Sequence, residues 1–173
     1  MKPVFIIVAA LLAASAGWAQ HAHQTDMPVE TGQSQFAAIA EIVALLRDDA
    51  ETDWTQVNIA ALRAHLIDMD NVTTKAAVER SIDGLSVTFS VTGDAVVAGS
   101  IKRMVLAHSP MLQQTSGWSV GAKPQEGGAE MTVTVKSAAS LDQVAGLGFF
   151  GLLSVGAHHQ RHHLLIAKGQ SPH

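Results

Sequence analysis

The sequence predicts an α+β domain in which two N-terminal helices precede two hairpin–helix units, with a four-stranded antiparallel sheet and helices packed on one face. Three observations predict it. Apolar residues recur at helical spacing early in the chain, two later regions alternate apolar and polar residues, and each alternating region is followed by a helical pattern. Segregated helices and antiparallel strands in this order are typical of an α+β fold.

The first two elements are predicted helices. Apolar residues at helical spacing run from Ser34 to about Arg47, and the polar stretch 48–52 ends that pattern. Asp53 begins the second helix, with Gln56 three residues later as its capping-box partner, and the helix ends near Asp70-Asn71.

The first hairpin–helix unit follows. Leu85–Thr92 alternates strictly and predicts a half-buried strand, and Asp83-Gly84 before it is a hairpin-turn dipeptide. Residues 75–82 are therefore expected to form the partner strand. Gly93-Asp94 caps a third helix, which Pro110 is expected to end.

The second unit repeats this order. Trp118–Ala122 and Met131–Val135 alternate as strands, and Lys123–Glu130 is interpreted as the loop between them. Ser140 then caps one long helix that ends at Gly169.

The N-terminus is typical of an export signal. One lysine precedes a short apolar run and small residues that fit a signal-peptidase site, and the run is too short to span a bilayer. We expect a periplasmic or secreted protein without a stable transmembrane anchor after processing. The predicted segments are a signal peptide at 1–19, a flexible segment at 20–33, one globular domain at 34–169 and a tail at 170–173.

Composition limits the chemistry. Removal of 1–19 takes away Lys2 and leaves 10 basic against 15 acidic residues, a net charge of about −5, which argues against nucleic acid as a partner. The chain has no cysteine, so c-type haem attachment and iron–sulfur clusters are excluded. A metal site must use histidine, carboxylate or thioether. His21 and His23 add two imidazoles near the predicted mature N-terminus.

The most informative pattern is the run from His158 to His163. On a helix, His158 and His162 lie one turn apart, and His159 and His163 form a second such pair, so each pair suits chelation of one transition-metal ion. An exposed helix end whose histidines interact with the helix dipole is the alternative. Leucine-rich flanks favour burial, and buried imidazoles need partners.

Two further histidines have potential ligands beside them. His65 precedes Asp68 and Met69 by about one helical turn, and Met104 precedes His108 by four residues. Each histidine also borders an apolar stripe, so a hydrogen-bonded core histidine is the alternative for both. Imidazole with thioether suits copper, particularly Cu(I), whereas imidazole with carboxylate suits zinc, nickel or iron.

The sequence therefore predicts an exported protein that sequesters or delivers a transition metal, with copper slightly favoured and a metal-accepting protein as a potential partner. The expected ligands come from the histidine-rich run and from the two internal helices: His158, His159, His162, His163, His65, His108, Met69, Asp68 and Met104. Three alternatives stay open: a noncovalent haem-binding module, a metal-dependent enzyme with Asp68 or Asp70 as base, and a non-metal interaction domain whose histidines respond to pH.

Overall fold

Helices cover one face of a four-stranded antiparallel sheet, as the sequence predicts. The computed structural model describes residues 35–156 and 159–170. The predicted signal peptide, the segment 20–33 and His158 lie outside the described residues, and of His159 only the backbone is described. The elements in chain order are α1 (Gln35–Asp48), α2 (Ile59–Lys75), β1 (Ala77–Asp83), β2 (Ser86–Thr92), α3 (Ala95–Ser116), β3 (Ser119–Gln125), β4 (Gly128–Thr134), α4 (Ala138–Leu153) and α5 (His159–Ala167).

The sheet has the strand order β1-β2-β4-β3, and every neighbouring pair is antiparallel. Alternation in β2 buries Val87, Phe89 and Val91 against the helices, because successive side chains of a strand point to opposite faces. On the other face, hydroxyls pair across the strands, as between Thr88 and Thr132 at 3.0 Å. One apolar and one polar face explain why helices cover only one side.

Helix α2 begins later than the sequence suggests. Its N-cap is Asn58, whose side chain accepts a hydrogen bond from the Ala61 backbone N–H at 2.9 Å. Asp53 instead accepts hydrogen bonds from the backbone and hydroxyl of Thr55, which makes a local turn. The predicted start at Asp53 was wrong because an Asp side chain can accept a hydrogen bond from the backbone two residues on, which forms a turn as readily as a helix cap. The helix also extends four residues beyond Asn71, to Lys75.

Helix α3 begins where the sequence predicts but does not end at Pro110. The side chain of Asp94 accepts hydrogen bonds from the backbone N–H groups of Val96 and Val97, both at 3.0 Å, and the helix continues through Pro110 to Ser116. Proline removes one helical hydrogen bond, here at an exposed position. Continuation buries Leu112 in the core, which compensates for the lost bond.

The second hairpin is tighter than the predicted loop Lys123–Glu130. Strand β3 runs to Gln125 and β4 begins at Gly128, so that only Glu126-Gly127 connects them. Pro124 lies inside β3, where proline is tolerated because β3 is an edge strand.

The single long C-terminal helix was also a wrong prediction, since the chain forms α4 and α5 instead. Ser137, rather than Ser140, caps α4. Gly148 has a φ of +61°, a backbone conformation that residues with a Cβ rarely adopt. It kinks α4, and the helix then ends at Leu153. The break lets α4 pack on the sheet while α5 packs against α1 and α2.

Two apolar cores result from this arrangement. The larger lies between the sheet and helices α3 and α4, and the smaller joins α1, α2 and α5 around Leu46, Leu62 and Leu66. Met69 on α2 packs against both. In the two described ranges no helix is both long enough and apolar enough to cross a membrane.

Candidate functional site

Helices α2, α3 and α5 bring four histidines together where the two cores meet. His65 lies 4.8 Å from His162 and 5.5 Å from His163, measured between ring centroids, and His108 lies 5.5 Å from His162 and 6.2 Å from His65. We call these four residues the histidine cluster. The sequence predicted each of them as a candidate ligand, and the fold makes them neighbours although they are far apart in the chain.

The histidine cluster is largely withdrawn from solvent. His108, His162 and His163 are 3%, 2% and 7% exposed, and His65 is half-buried. Burial of imidazole is costly unless the ring has polar partners or a bound ion. The contacts among these rings are therefore part of what makes their burial tolerable.

The C-terminal end of α5 is fixed to the segment that connects α1 and α2, which helps to place His162 and His163 in the cluster. The Asn58 backbone N–H donates to the Ala167 carbonyl at 2.7 Å, and Lys168 forms an ion pair with Asp49 at 2.8 Å. Gly169 follows with φ of +73°, and a Cβ there would lie 2.6 Å from the Gln56 carbonyl oxygen. Only glycine allows this close approach.

His108 is held in one tautomer by its own helix. Its Nδ1 lies 2.9 Å from the Met104 carbonyl oxygen, which only accepts hydrogen bonds, so Nδ1 carries the proton. In the neutral ring the lone pair is then on Nε2. Histidines that ligate metals commonly donate their other N–H to a backbone carbonyl in this way. Met104 contributes this carbonyl and is itself a core residue, 4% exposed.

Met69 contributes a soft donor beside the imidazoles. Its Sδ lies 3.4 Å from Nε2 of His163. Two donors bound to one ion at about 2.0–2.1 Å for nitrogen and about 2.3 Å for sulfur lie roughly 3.5 Å apart in tetrahedral geometry. The observed separation therefore suits a shared ion as well as a direct N–H···S contact.

The distances between the imidazole rings are close to those around a single bound metal ion, but the ring nitrogens do not converge on one point. A tetrahedral ion with nitrogen ligands at about 2.0–2.1 Å holds the centroids of its imidazoles roughly 5 Å apart, near the 4.8–6.2 Å observed. Among the described side chains, no three of His, Cys, Asp and Glu are already arranged to hold a metal ion.

Asp68, a predicted metal ligand on α2, forms hydrogen bonds to residues of α3. Its two oxygens accept from Nε and Nη2 of Arg103, both at 2.7 Å, and from the Ser100 hydroxyl at 2.8 Å. The Arg103 guanidinium lowers the pKa of Asp68, against the opposing effect of burial, and Ser100 adds to the lowering. Asn71, also buried, donates to Ser100 at 3.1 Å and extends the network.

The sequence did not predict this network. One residue did point to such a network. Ser100 lies between Val97 and Met104 on the buried stripe of α3, where a polar side chain needs a hydrogen-bond partner. We call the contacts of Asp68, Ser100 and Arg103 the α2–α3 brace. The brace links α2 to α3, the two helices that carry His65 and His108.

A groove of about 710 Å³ opens beside the histidine cluster, between α2 and α3. Its wall includes His65 and His108, its apolar lining is mostly alanine and isoleucine, and Arg63 and Arg103 lie at its rim. Nothing in the sequence indicated the groove, because its existence depends on how the helices cross.

Comparisons with known proteins leave function to be argued from this geometry. No protein-family model, curated protein or solved structure matches the chain.

Proposed function

We propose that this protein binds a transition-metal ion, with Cu(I) favoured, through the histidine cluster and Met69. The observation that carries the proposal is the meeting of four imidazoles and one thioether, from three separate helices, in a largely buried place. His158 and His159 remain predicted ligands on the same C-terminal segment. The bound ion replaces the ring–ring contacts with metal–nitrogen bonds.

Copper is favoured because of the donor set. Thioether and imidazole are the soft and intermediate ligands that select Cu(I), whereas the nearest predicted carboxylate, Asp68, is already paired with Arg103. Zinc, nickel and iron suit imidazole with carboxylate better than imidazole with thioether. The thioether of Met69 therefore favours Cu(I) over zinc, nickel and iron.

Binding, sequestration or delivery is a better proposal than catalysis. A metal-dependent hydrolase would need a general base near the ion with a pKa close to neutrality. Arg103 lowers the pKa of Asp68 and occupies its oxygens, which makes it a weak base. We further propose that the protein is exported, as its N-terminal sequence suggests, and passes its ion to a metal-accepting protein.

The test measures the affinity for Cu(I) of the mature chain carrying His21→Gln and His23→Gln. These two substitutions remove the N-terminal imidazoles as competing donors. Competition with a chromophoric Cu(I) chelator measures the Kd. Met69→Leu should weaken Cu(I) binding roughly 10–100-fold while it preserves side-chain volume and stability. His108→Phe should weaken both Cu(I) and Zn(II) binding.

Met104→Leu is the matched control. Met104 is a buried helical methionine next to the cluster, but it contacts His108 through its backbone carbonyl, so its substitution should leave the Kd unchanged. Equal effects of Met69→Leu and Met104→Leu, or an unchanged Kd in His108→Phe, would overturn the ligand assignment. Absence of both copper and zinc binding in the parent chain would overturn metal binding and favour the pH-responsive alternative.

A further inference from the structure

The groove between α2 and α3 has an apolar side and a polar side. Its volume of about 710 Å³ falls within the roughly 300–1,000 Å³ usual for small-molecule sites. The apolar side is formed by side chains from three helices: Ala61, Ala64, Ile67, Met104, Ala107 and Ile166. His65 and His108 also line the groove, but their Nε2 atoms are buried, so those two nitrogens are not presented to a ligand there.

The polar side of the groove contains one carboxylate, which is already engaged. Asp68 accepts hydrogen bonds from Nε and Nη2 of Arg103 and from the Ser100 hydroxyl. An ionised carboxylate only accepts hydrogen bonds and has about four lone-pair sites. Most of the accepting capacity of Asp68 is therefore used inside the protein.

The polar groups that remain for a ligand are mainly hydrogen-bond donors. Asp68 takes the Nε proton and one Nη2 proton of Arg103, which leaves three of the five guanidinium N–H groups. The side chains of Arg63 and Gln170, also in the lining, form no hydrogen bond to any residue that the structure describes. A ligand carboxylate can accept from guanidinium and amide groups, whereas an ammonium group, which only donates, cannot.

The charge of the lining suits a ligand with one negative charge. Two guanidinium groups and the carboxylate of Asp68 leave one positive charge in excess, on a chain whose net charge is −4. A monoanion compensates that excess, whereas a second negative charge would face Asp68. The apolar side requires in addition that the rest of the ligand be apolar.

We propose that the groove binds a fatty acid. Its carboxylate accepts hydrogen bonds from Arg63, Arg103 and Gln170, and its alkyl chain lies along the apolar side. This side follows α2 from Ala61 to Ile67, about two helical turns, and an extended alkyl chain matches that elongated shape better than a compact apolar group does.

The fatty-acid site does not depend on the proposed Cu(I) site. None of the contacts proposed for the fatty acid uses Met69, His162 or His163. The substitution Met69→Leu leaves the groove in place, and the groove variants described below leave Met69 in place. Each proposal can therefore fail while the other stands.

The experiment titrates the mature chain with decanoate in a calorimeter, and we expect one decanoate per chain. Two compounds with the same alkyl chain separate recognition of the carboxylate from burial of the chain. Decan-1-ol, which has no charge, should bind roughly tenfold more weakly than decanoate, and decylammonium should not bind.

Two substitutions test the two sides of the groove. Arg63→Gln should weaken decanoate binding roughly tenfold, and Ala64→Trp, which fills the groove from an exposed position, should abolish it. Arg47→Gln is the matched control for Arg63→Gln, because Arg47 is an exposed arginine on α1 outside the groove, and binding should be unchanged.

Circular dichroism checks that each variant is folded, and Arg63→Gln decides the question if Ala64→Trp does not fold. Absence of decanoate binding to the parent chain would overturn the proposal. So would equal affinities for decanoate and decan-1-ol, or decanoate binding that Arg63→Gln leaves unaltered.

Discussion

Replacement of Asp68 by asparagine tests whether the α2–α3 brace holds the two helices together. Asp68 accepts three hydrogen bonds, two of them from Arg103 and one from Ser100. Asparagine keeps the shape and an acceptor for Ser100, but it removes the negative charge that faces the guanidinium. The substitution therefore isolates the ionic part of the brace.

The magnitude follows from the exposure of the two partners. Hydrogen bonds to charged groups contribute about 1.5–3 kcal/mol each when buried, whereas exposed ion pairs contribute about 0.2–1 kcal/mol. Asp68 is 13% exposed but Arg103 is 63% exposed, so solvent screens the pair strongly. We expect Asp68→Asn to lower the free energy of unfolding by about 1–2 kcal/mol at pH 7.

The pH dependence has a definite sign. Because Arg103 lowers the pKa of Asp68 in the folded protein, the stabilisation is fully present above the unfolded pKa of about 3.9. It is lost as the pH falls through the lower, folded value. The difference between the parent chain and Asp68→Asn should hold from pH 7 to pH 5 and shrink at pH 3.

Urea unfolding followed by tryptophan fluorescence measures this difference, with Trp118, which packs against the larger core, as a reporter. Asp70→Asn is the control, since Asp70 is exposed on the same helix and its substitution should change stability little. A deficit of the same size at pH 3 and pH 7 would show that the effect is not ionic. No deficit at pH 7 would refute the brace.

Glycine substitutions test the kink in α4 and the attachment of α5. Gly146→Ala, in open space within the helix, should raise the free energy of unfolding by about 0.5–1 kcal/mol. Gly148→Ala is equally open but has a φ of +61°, so it should lower the free energy of unfolding by about 1 kcal/mol. Urea unfolding of both variants gives the comparison, and equal effects would contradict the kink. Gly169→Ala should lower the free energy of unfolding by about 1–3 kcal/mol, because the new Cβ would meet the Gln56 carbonyl. The control Gly121→Ala, at an open strand position, should change the free energy of unfolding by less than about 0.5 kcal/mol. A tolerated Gly169→Ala would show that α5 is not held at this contact.

The sequence predicts the architecture well where periodicity is strong. Strict alternation in β2 and the capped start of α3 appear in the structure as expected, since each residue there satisfies a local rule. Errors arose where tertiary packing overrides a local signal. Pro110 stays inside α3 because Leu112 is buried beyond it, and α4 separates from α5 because each packs on a different core.

The candidate site was predictable in its members but not in its geometry. Helical stripes indicated that His65 and His108 face the interior, and the structure brings both to His162 and His163. Spacing along one helix cannot reveal a partner on another, so the pairing of Asp68 with Arg103 did not follow from the sequence. The groove has the same origin, since it arises from small residues on two helices that meet only in the fold.

X-ray absorption at the copper edge tests the central claim most directly. The sample is the His21→Gln, His23→Gln mature chain loaded with Cu(I). We predict one copper per chain, with nitrogen ligands and one sulfur at about 2.3 Å, and the sulfur should disappear in Met69→Leu but remain in Met104→Leu. A sulfur-free shell in the parent chain, or copper that does not reach one per chain, would contradict a site built from the histidine cluster and Met69.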